Sequence, residues 1–489
     1  MSFIILCFFI SYILLLFVIS WATSRGSKNT TYFTGNRKSP WFVVAYGMIG
    51  SSLSGVTFMS VPGDVATTQF SYFGVVLGYI LGYLVIITVL LPLYYRLRQT
   101  SIYEYLGSRF GQVEQKTGAL LFIISRLAGS ALRMYLVIFV LQRFVFNAWG
   151  IPVWLTASFM IVVISLYTFR GGVKTVVWTD TLQTTFMILA LILTIVVIFN
   201  DLNFNLSQTW YAMNEAGYTR FFNTDWHEHD YFLKQVFGGM FITIAMTGLD
   251  QDMMQKNLSC KNLREARFNM MSFTGILVIV NSLFLFLGAL MLLYARQNGI
   301  MLTGMPTDGI YPELAFNHLG IFVGGTFVIG LIAAGFSSAD GTFTALTTSV
   351  CYDLFHIETR FHGERPRTLF RYLVHLIISV LFLFIIIVCA HYHDDALIRI
   401  IFTVASYTYG PILGLFAFGG FSRRKTRYPV LVPVIALLSP LFCFILSSFS
   451  KSLLHGYEFG FELLIINGLF TFFMLWLNSI KDPNKQSIS

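Results

Sequence analysis

The chain has 489 residues, of which 56% are hydrophobic and only 11% are charged, and its mean hydropathy is +0.71. Soluble domains carry about 25% charged residues, so this composition excludes a soluble protein and indicates a polytopic membrane protein. The net charge of +9 comes from short basic clusters between apolar runs, which is typical of membrane-protein loops and argues against a nucleic-acid partner. The five cysteines have no CxxC spacing, which argues against a disulfide framework or a transition-metal site.

Thirteen apolar stretches are each about long enough to cross a bilayer as a helix of about 20 residues. The first is predicted to be a retained helix and not a signal peptide, because no positive segment precedes it and its apolar run is too long. The predicted fold class is therefore all-α, a polytopic membrane protein with about 13 transmembrane helices. The spans are 3–22, 41–62, 70–95, 117–145, 150–168, 174–199, 233–255, 270–294, 319–352, 369–390, 396–418, 428–448 and 463–480.

Lysine and arginine are concentrated in alternate connections, beginning with Arg25 to Lys38 after the first span and including Lys256 to Arg267 after the seventh. The positive-inside rule makes these connections cytoplasmic, so the N-terminus is predicted outside and the C-terminus in the cytoplasm. The long connection 200–232 is then the main external loop. We expect a multi-pass protein of the plasma membrane, and the size and the additional terminal helices favour a bacterial inner membrane.

The second and seventh spans are predicted to be broken helices. The second contains the small and hydroxyl-rich segment 47–55, and the seventh passes through the polar segment 247–252. Such interruptions at corresponding positions of two halves are typical of a transporter site near the bilayer midplane. The two spans are five helices apart, and because five is odd, the halves enter the membrane from opposite faces as an inverted repeat.

This repeat predicts five parts of the chain. They are an N-terminal flanking helix and loop (1–40), a first repeat (41–199), the external loop (200–232), a second repeat (233–425), and C-terminal flanking helices with a tail (426–489).

Charged residues inside the spans are few. Arg126 and Arg133 are seven residues apart in the fourth span and therefore share a helix face, where each needs a partner such as a carboxylate. Four acidic residues also lie inside spans, and a carboxylate there costs several kcal/mol unless it meets a cation, a proton or water. They are Asp180, Asp250, Asp252 and Asp340.

Two of these aspartates have a structural alternative to a functional role. We expect Asp250 and Asp252 to end the seventh helix near the cytoplasmic face, where pairing with Lys256 or Arg264 would account for them. Gln251 between them is a candidate hydrogen-bonding group for a solute.

The ninth span carries a cluster of hydroxyl groups. Ser337 and Asp340 are three residues apart and share a helix face, while Ser338 lies about 100° round the helix. A hard monovalent cation takes a handful of oxygen ligands, which hydroxyls and the carbonyls of an unwound second helix would supply. The structural alternative is that these hydroxyls bond only to their own helix.

Several short motifs follow one another across residues 30–425. They are Tyr32-Phe33 with Gly35, Ser54-Gly55 through Pro62-Gly63, Ile102 to Leu106 with Arg109-Phe110, Gly171-Gly172, Trp178-Thr179-Asp180 with Gln183, Asp250-Gln251 with Gln255-Lys256, Ser337-Ser338, and Tyr409-Gly410-Pro411 with Gly414. Each motif alone is weak, but together, in this order and on matching helices, they strongly resemble the sodium:solute symporters. Members of that family carry sugars, sialic acids, vitamins and other small solutes.

The resemblance implies a LeuT-type fold with a five-helix inverted-repeat core, and Na⁺ as the only metal. Its main sodium site would lie between the second and ninth helices. Gly50 stands where familiar members have alanine, a small change if only its carbonyl is used. The implied ligands are the carbonyls of Gly50, Leu53 and Ala334 and the hydroxyls of Ser337 and Ser338.

Asp180 falls where some members of this family use an aspartate in a second sodium site. The matching position on the ninth helix is Asp340, where those members have serine. Two neighbouring carboxylates favour a bound cation or a shared proton. One sodium, two sodiums, or sodium plus a proton at Asp180 and Asp340 all stay open.

The segment 133–137 (RMYLV) resembles the stretch where sialic-acid carriers place the arginine that binds the substrate carboxylate. We therefore hypothesise that the solute is an acid, such as a sialic acid or a similar sugar acid, with other sugars and amino acids as alternatives. Arg133 would instead neutralise a membrane aspartate if that hypothesis is wrong. The candidate substrate-binding residues are Ser52, Ser54, Thr57, Tyr72, Arg133, Asp250 and Gln251.

These observations predict a sodium-coupled secondary active symporter that imports a small polar solute by alternating access. The alternative is a proton-coupled symporter that uses Asp180 and Asp340. A membrane sensor or enzyme module is more remote, because no HExxH, GxxxxGK[ST] or GxSxG motif is present. Apart from the bilayer and the solute, we expect no obligate protein partner.

Overall fold

The computed structural model describes residues 2–302, 304–392, 406–454 and 456–481, and helices make up most of them. Four π-helical turns extend or link helices, at Ile86–Leu90, Gln142–Phe146, Ile244–Gly248 and Val350–Leu354, and two 3₁₀ turns lie at Gly35–Arg37 and Asn147–Trp149. Strands β1 (Arg424–Thr426) and β2 (Ser479–Lys481) pair antiparallel.

The helices are α1 (Ser2–Ser24), α2 (Asn29–Thr34), α3 (Trp41–Ser52), α4 (Gly55–Thr68), α5 (Phe73–Val85), α6 (Leu91–Leu97), α7 (Glu104–Arg109), α8 (Gln112–Leu141), α9 (Val153–Gly171), α10 (Val173–Leu202), α11 (Leu206–Glu215), α12 (Phe232–Thr243), α13 (Gln251–Leu258), α14 (Leu263–Gln297), α15 (Thr307–Asn317), α16 (Gly320–Ser349), α17 (Ile357–Arg360), α18 (Glu364–Tyr392), α19 (Tyr409–Phe421), α20 (Leu431–Ser448), α21 (Ser450–Leu453) and α22 (Leu463–Leu477).

The all-α membrane class is confirmed. Among the described residues, eight helices are long and apolar enough to span a bilayer, and two bent pairs raise this number to ten. Two shorter apolar helices, at Tyr409–Phe421 and Leu463–Leu477, fall below the length of a full span, and the stretch Phe9–Ser24 of α1 is also apolar. The count of thirteen stays a prediction, and the start of the eleventh predicted span, 396–405, lies outside the described residues.

Both predicted interruptions are present. Helices α3 and α4 meet at 64°, and the helix formed by α12 with its π turn meets α13 at 65°. At the first break the Ser54 hydroxyl accepts a bond from the Thr57 N–H (3.3 Å). At the second, Asp250 Oδ1 accepts bonds from the N–H groups of Asp252 (2.9 Å) and Met253 (3.2 Å). Each break therefore begins a new helix with a side-chain cap.

The expected end of the seventh helix was wrong, although its break lies within the predicted segment 247–252. Asp250 and Asp252 do not end the seventh span, because α13 continues the chain to Leu258. Lys256, which the sequence assigns to a cytoplasmic loop, lies inside α13 with 2% of its surface exposed. The apolar count ended the span at residue 255 because this half-helix is mostly polar and only eight residues long.

Helix α16 forms the centre of the bundle. It packs against α10, α8 and α3, and residues 327–349 are buried without interruption. Since α10 also packs against α3, the hydroxyl groups of α16 and Asp180 of α10 meet the first helix break. The predicted external loop contains its own helix, α11.

Candidate ion and substrate site

The two serines of α16 differ in their hydrogen bonds. Ser337 donates from its hydroxyl to Asp180 Oδ1 (2.6 Å), and its oxygen lies 3.3 Å from that of Ser51. The Ser338 hydroxyl is buried and has no hydrogen-bond partner among the residues that the structure describes. Because an unsatisfied buried hydroxyl costs about 1–3 kcal/mol, Ser338 offers free lone pairs to a ligand.

The C-terminal end of α3 lies directly against Ser337. A Cβ atom placed on Gly50 would stand 3.1 Å from the Ser337 hydroxyl and 2.7 Å from that of Thr184. The Gly50 N–H donates to this Thr184 hydroxyl (2.9 Å). The last carbonyls of a helix have no intrahelical donor, so those at the end of α3 are available as ligands. The resemblance-based sodium residues thus come from two elements that are in contact.

Lys256 of α13 lies among carboxylates. Its ammonium nitrogen is 2.9 Å from Asp180 Oδ2, 3.0 Å from Asp252 Oδ1 and 2.6 Å from the Ser51 hydroxyl. All four residues are buried. The predicted pairing of Asp252 with Lys256 is confirmed, but the ion pair with Asp180 was not predicted, because Lys256 had been assigned to a loop.

Arg126 of α8 contacts the two carboxylates at the start of α13, those of Asp250 and Asp252. It donates to Asp252 Oδ2, and its second terminal nitrogen lies 3.5 Å from Asp250 Oδ2. Tyr409 of α19 donates to the same Asp250 oxygen (2.9 Å). The sequence indicated that Arg126 needs a partner, but it could not show that this partner is the polar start of α13.

Asp340 of α16 accepts its hydrogen bonds from uncharged side chains. Its Oδ2 accepts bonds from Tyr167 (2.8 Å), Thr179 (3.3 Å) and Gln183 (3.4 Å). Among the described residues its buried Oδ1 has no hydrogen-bond partner, and no lysine or arginine forms an ion pair with Asp340. An ionised carboxylate in such a place is costly, so the site favours a proton or a bound cation.

Arg133 lies two helical turns from Arg126 and forms no ion pair with any residue that the structure describes. Both arginines line a small void together with Met246 and Tyr409. Through Met246, Ser406 and Tyr409 this void adjoins a cavity of about 540 Å³ that extends to His229 and Glu458. This face of the protein is the one predicted to be external.

The other candidate substrate residues do not line this cavity. Ser54 and Thr57 contact each other at the start of α4, with hydroxyl oxygens 3.2 Å apart. The Tyr72 hydroxyl is 2.8 Å from that of Tyr79. Ser52 lies half-buried beside the first break. These four residues therefore lie at the end of α3, at the start of α4 and just before α5, and the structure does not gather them with Arg133 around one described cavity.

Gln251, at the second helix break, bonds to the backbone of the connection between α6 and α7. Its amide nitrogen donates to the Thr100 carbonyl (3.1 Å), and its amide oxygen accepts from the Ile102 N–H (2.9 Å). Tyr103 in the same connection donates to the Leu249 carbonyl (2.8 Å). In this arrangement Gln251 fixes the connection between α6 and α7 to the second helix break.

Broken helices around a buried, partly unsatisfied hydroxyl cluster are the architecture of an ion-coupled transporter. The model of the sodium:solute symporter family matches residues 32–436, and the chain belongs to this family. It is therefore a transporter and not an enzyme, and it couples the movement of a small solute to sodium.

Curated relatives carry different solutes. The chain is 24% identical to a sodium/sialic acid symporter of Proteus mirabilis over 434 residues, which cover 85% of both chains. It is also 24% identical to the human sodium/iodide cotransporter over 414 residues, 81% of this chain and 62% of that one.

The fold is similar to two solved transporter structures. A Na⁺-coupled sialic acid symporter in a substrate-bound outward-open state has a TM-score of 0.82 at 20% identity, covering 98% of this chain and 99% of that chain. A nucleobase-cation-symport-1 family transporter has a TM-score of 0.58 at 12% identity, covering 92% and 93%. These likenesses show the LeuT-type fold.

Proposed function

We propose that this protein imports a small anionic solute together with sodium, and that the sodium ion binds between α16 and the break of α3 and α4. The ligands would be the Ser337 and Ser338 hydroxyls and the carbonyls of Gly50, Leu53 and Ala334. The observation that carries this proposal is the Ser338 hydroxyl, which is buried and has no hydrogen-bond partner in the described part of the chain. Ser337 supports it, because a hydroxyl that donates to Asp180 still has lone pairs for a cation.

Sodium at this position would join α16 to the broken helix. That contact would stabilise the state in which the cavity near Tyr409 is open, and solute binding would then permit closure on this side and opening on the other. The positive-inside pattern supports an external location for this cavity, an external N-terminus and a cytoplasmic C-terminus. We place the protein in the bacterial inner membrane.

An acid is the proposed solute because of Arg133. This residue lines the void below the cavity and has no ion-pair partner among the described residues, so its guanidinium is available to a carboxylate. The similarity to sodium/sialic acid symporters favours a sialic acid as the first compound to test. Ser52, Ser54, Thr57 and Tyr72 would complete the binding site after a change of conformation.

A proton-coupled symporter is the second candidate, and Asp340 favours it. This buried carboxyl has no cation partner among the described residues and one oxygen without a hydrogen bond. A proton that binds to and leaves Asp340 would then contribute to the driving force in addition to sodium.

Uptake by proteoliposomes tests both candidates. We expect radiolabelled sialic acid, or another carboxylate from a small panel, to accumulate under an inward sodium gradient and not under choline with a pH gradient. Accumulation driven by the pH gradient without sodium would reject sodium coupling and select Asp340.

The same assay tests Arg133. We expect Arg133→Lys to raise the apparent KM for the acid about tenfold or more, because lysine lacks the planar fork that binds a carboxylate at two points. Arg143→Ala, in the π turn that follows α8, is the matched control and should keep the KM. An unchanged KM in Arg133→Lys and Arg133→Ala would reject the acid-binding role.

A further inference from the structure

We infer that the Lys256 ammonium is a built-in cation that occupies a second cation site, so that the protein binds one sodium ion and not two. The inference rests on the proposed sodium-coupled function and specifies the number of ions. It concerns Lys256, Asp180, Asp252 and Ser51, which come from α13, α10 and α3.

The geometry around the ammonium is that of a filled site. Three oxygen atoms lie at 2.6, 2.9 and 3.0 Å from the nitrogen, on Ser51, Asp180 and Asp252. A lysine ammonium has three N–H donors, so each donor has one acceptor and none is left over. Carboxylate and hydroxyl oxygens are also the ligands that a hard cation takes. An alkali ion would have to displace the ammonium to reach these oxygens.

The charges of the cluster lead to the same result. Asp252 lies between two cations, Lys256 and Arg126, and Asp180 has Lys256 as its only cationic partner among the described residues. Taking Lys256 away would leave Asp180 buried without a cationic partner among the described residues, which is unfavourable for an ionised carboxylate. A second sodium beside a Lys256 that stays in place would add a positive charge next to a carboxylate that is already neutralised.

The ammonium also connects the two helix breaks. Ser51 is at the end of α3, where it donates to Asp180 Oδ2 (2.9 Å) and lies beside Ser337. Lys256 is in the half-helix after the second break. A sodium ion bound by Ser337 and the Lys256 ammonium would therefore contact neighbouring oxygens of the same cluster. Lys256 is a positioning residue for the sodium site, and its charge, unlike that of sodium, would not be transported with the solute.

Counting bound sodium tests the inference with the ion alone. Equilibrium binding of ²²Na⁺ to detergent-purified protein should reach one ion per chain with a Hill coefficient of about one. Lys256→Met, which keeps the length of the side chain without its charge, should bind a second sodium at Asp180 and Asp252 and reach two. Lys256→Arg keeps the charge and should stay at one.

A double variant provides the control for folding. Lys256→Met combined with Asp180→Asn removes both charges of the pair, leaves no new unpaired carboxylate, and should return to one sodium. Two ions bound to the unmodified protein, or one ion bound to a folded Lys256→Met, would overturn the inference. Absence of any sodium binding to the unmodified protein would instead reject the proposed sodium site. Failure of the one-ion inference can therefore be distinguished from failure of the proposed sodium-coupled function.

Discussion

Ser338 is the residue whose surroundings most directly imply a missing ligand. Most hydroxyls of α16 bond to their own helix, as Thr347 does to the Phe343 carbonyl (2.6 Å), and this is the structural alternative that the sequence left open. Ser338 is buried in the same helix and has no such bond. Its neighbour Ser337 bonds to another helix, at Asp180. The helix-internal alternative therefore fails at the two positions that the family resemblance assigns to sodium.

Ser338→Ala is expected to weaken sodium binding without unfolding the protein. The variant removes one oxygen ligand, and it also removes an unsatisfied hydroxyl, so the loss of affinity comes with little loss of stability. We expect the sodium concentration for half-maximal uptake to rise about tenfold. Ser282→Ala on α14, whose hydroxyl bonds to its own helix at the Val278 carbonyl (2.8 Å), is the matched control. Equal sodium dependence in both variants would contradict the role of Ser338.

The sequence identified most of the charged residues of the ion cluster, but it did not identify most of their partners. Asp180, Asp250, Asp252 and Asp340 stood out because carboxylates are costly inside spans. Which cation each one meets depends on contacts between distant helices. Lys256 was named as a partner of Asp252 but was assigned to a loop, because a polar half-helix inside the membrane has the same composition as a loop.

The second helix break is the central element. Asp250 caps α13 and accepts bonds from other helices, while Gln251 holds the connection between α6 and α7. This part of the chain thus joins the ion cluster to a connection on the face predicted to be cytoplasmic. A change at the ion cluster would reach that connection through a single half-helix.

Gln251→Met is expected to loosen this connection. The variant loses two buried hydrogen bonds, to the Thr100 carbonyl and the Ile102 N–H, each of which contributes about 1 kcal/mol. Hydrogen–deuterium exchange of segment 98–106 should become roughly tenfold faster or more. Gln112→Met, at an exposed position at the start of α8, should leave this exchange unchanged. Unaltered exchange in Gln251→Met would show that the amide does not hold the connection.

The breaks themselves were predictable from glycine, hydroxyl and acidic residues in otherwise apolar spans. The extent of the second broken span was not, because α13 carries Asp252 and Lys256 and is too polar for an apolar count. Its polar side chains are satisfied by α8, α10 and the connection after α6, and only the folded bundle shows this.

At the scale of the whole molecule, the two bends of 64° and 65° and their separation by five spans agree with the predicted inverted repeat. The all-α membrane class followed from hydropathy, and the family followed from short motifs in order along the chain. The cavity near Tyr409 could not be predicted, since it is formed by residues of distant segments, among them Met246, Ser406 and Glu458.

The number of coupled ions decides how far the solute can be concentrated. Each sodium ion that moves inward through 100 mV contributes about 2.3 kcal/mol from the electrical potential alone. A built-in cation at Lys256 would limit the protein to one such contribution.

The most direct test of the account is the thermal stability of purified protein with sialic acids, sugars, amino acids and carboxylates, each measured in sodium and in choline. A ligand at 100 times its Kd stabilises the folded state by about 2.7 kcal/mol, which is readily detected. We predict that an acid raises the Tm only when sodium is present, because sodium prepares the site for the solute. An equal rise of the Tm in choline and in sodium would contradict sodium coupling.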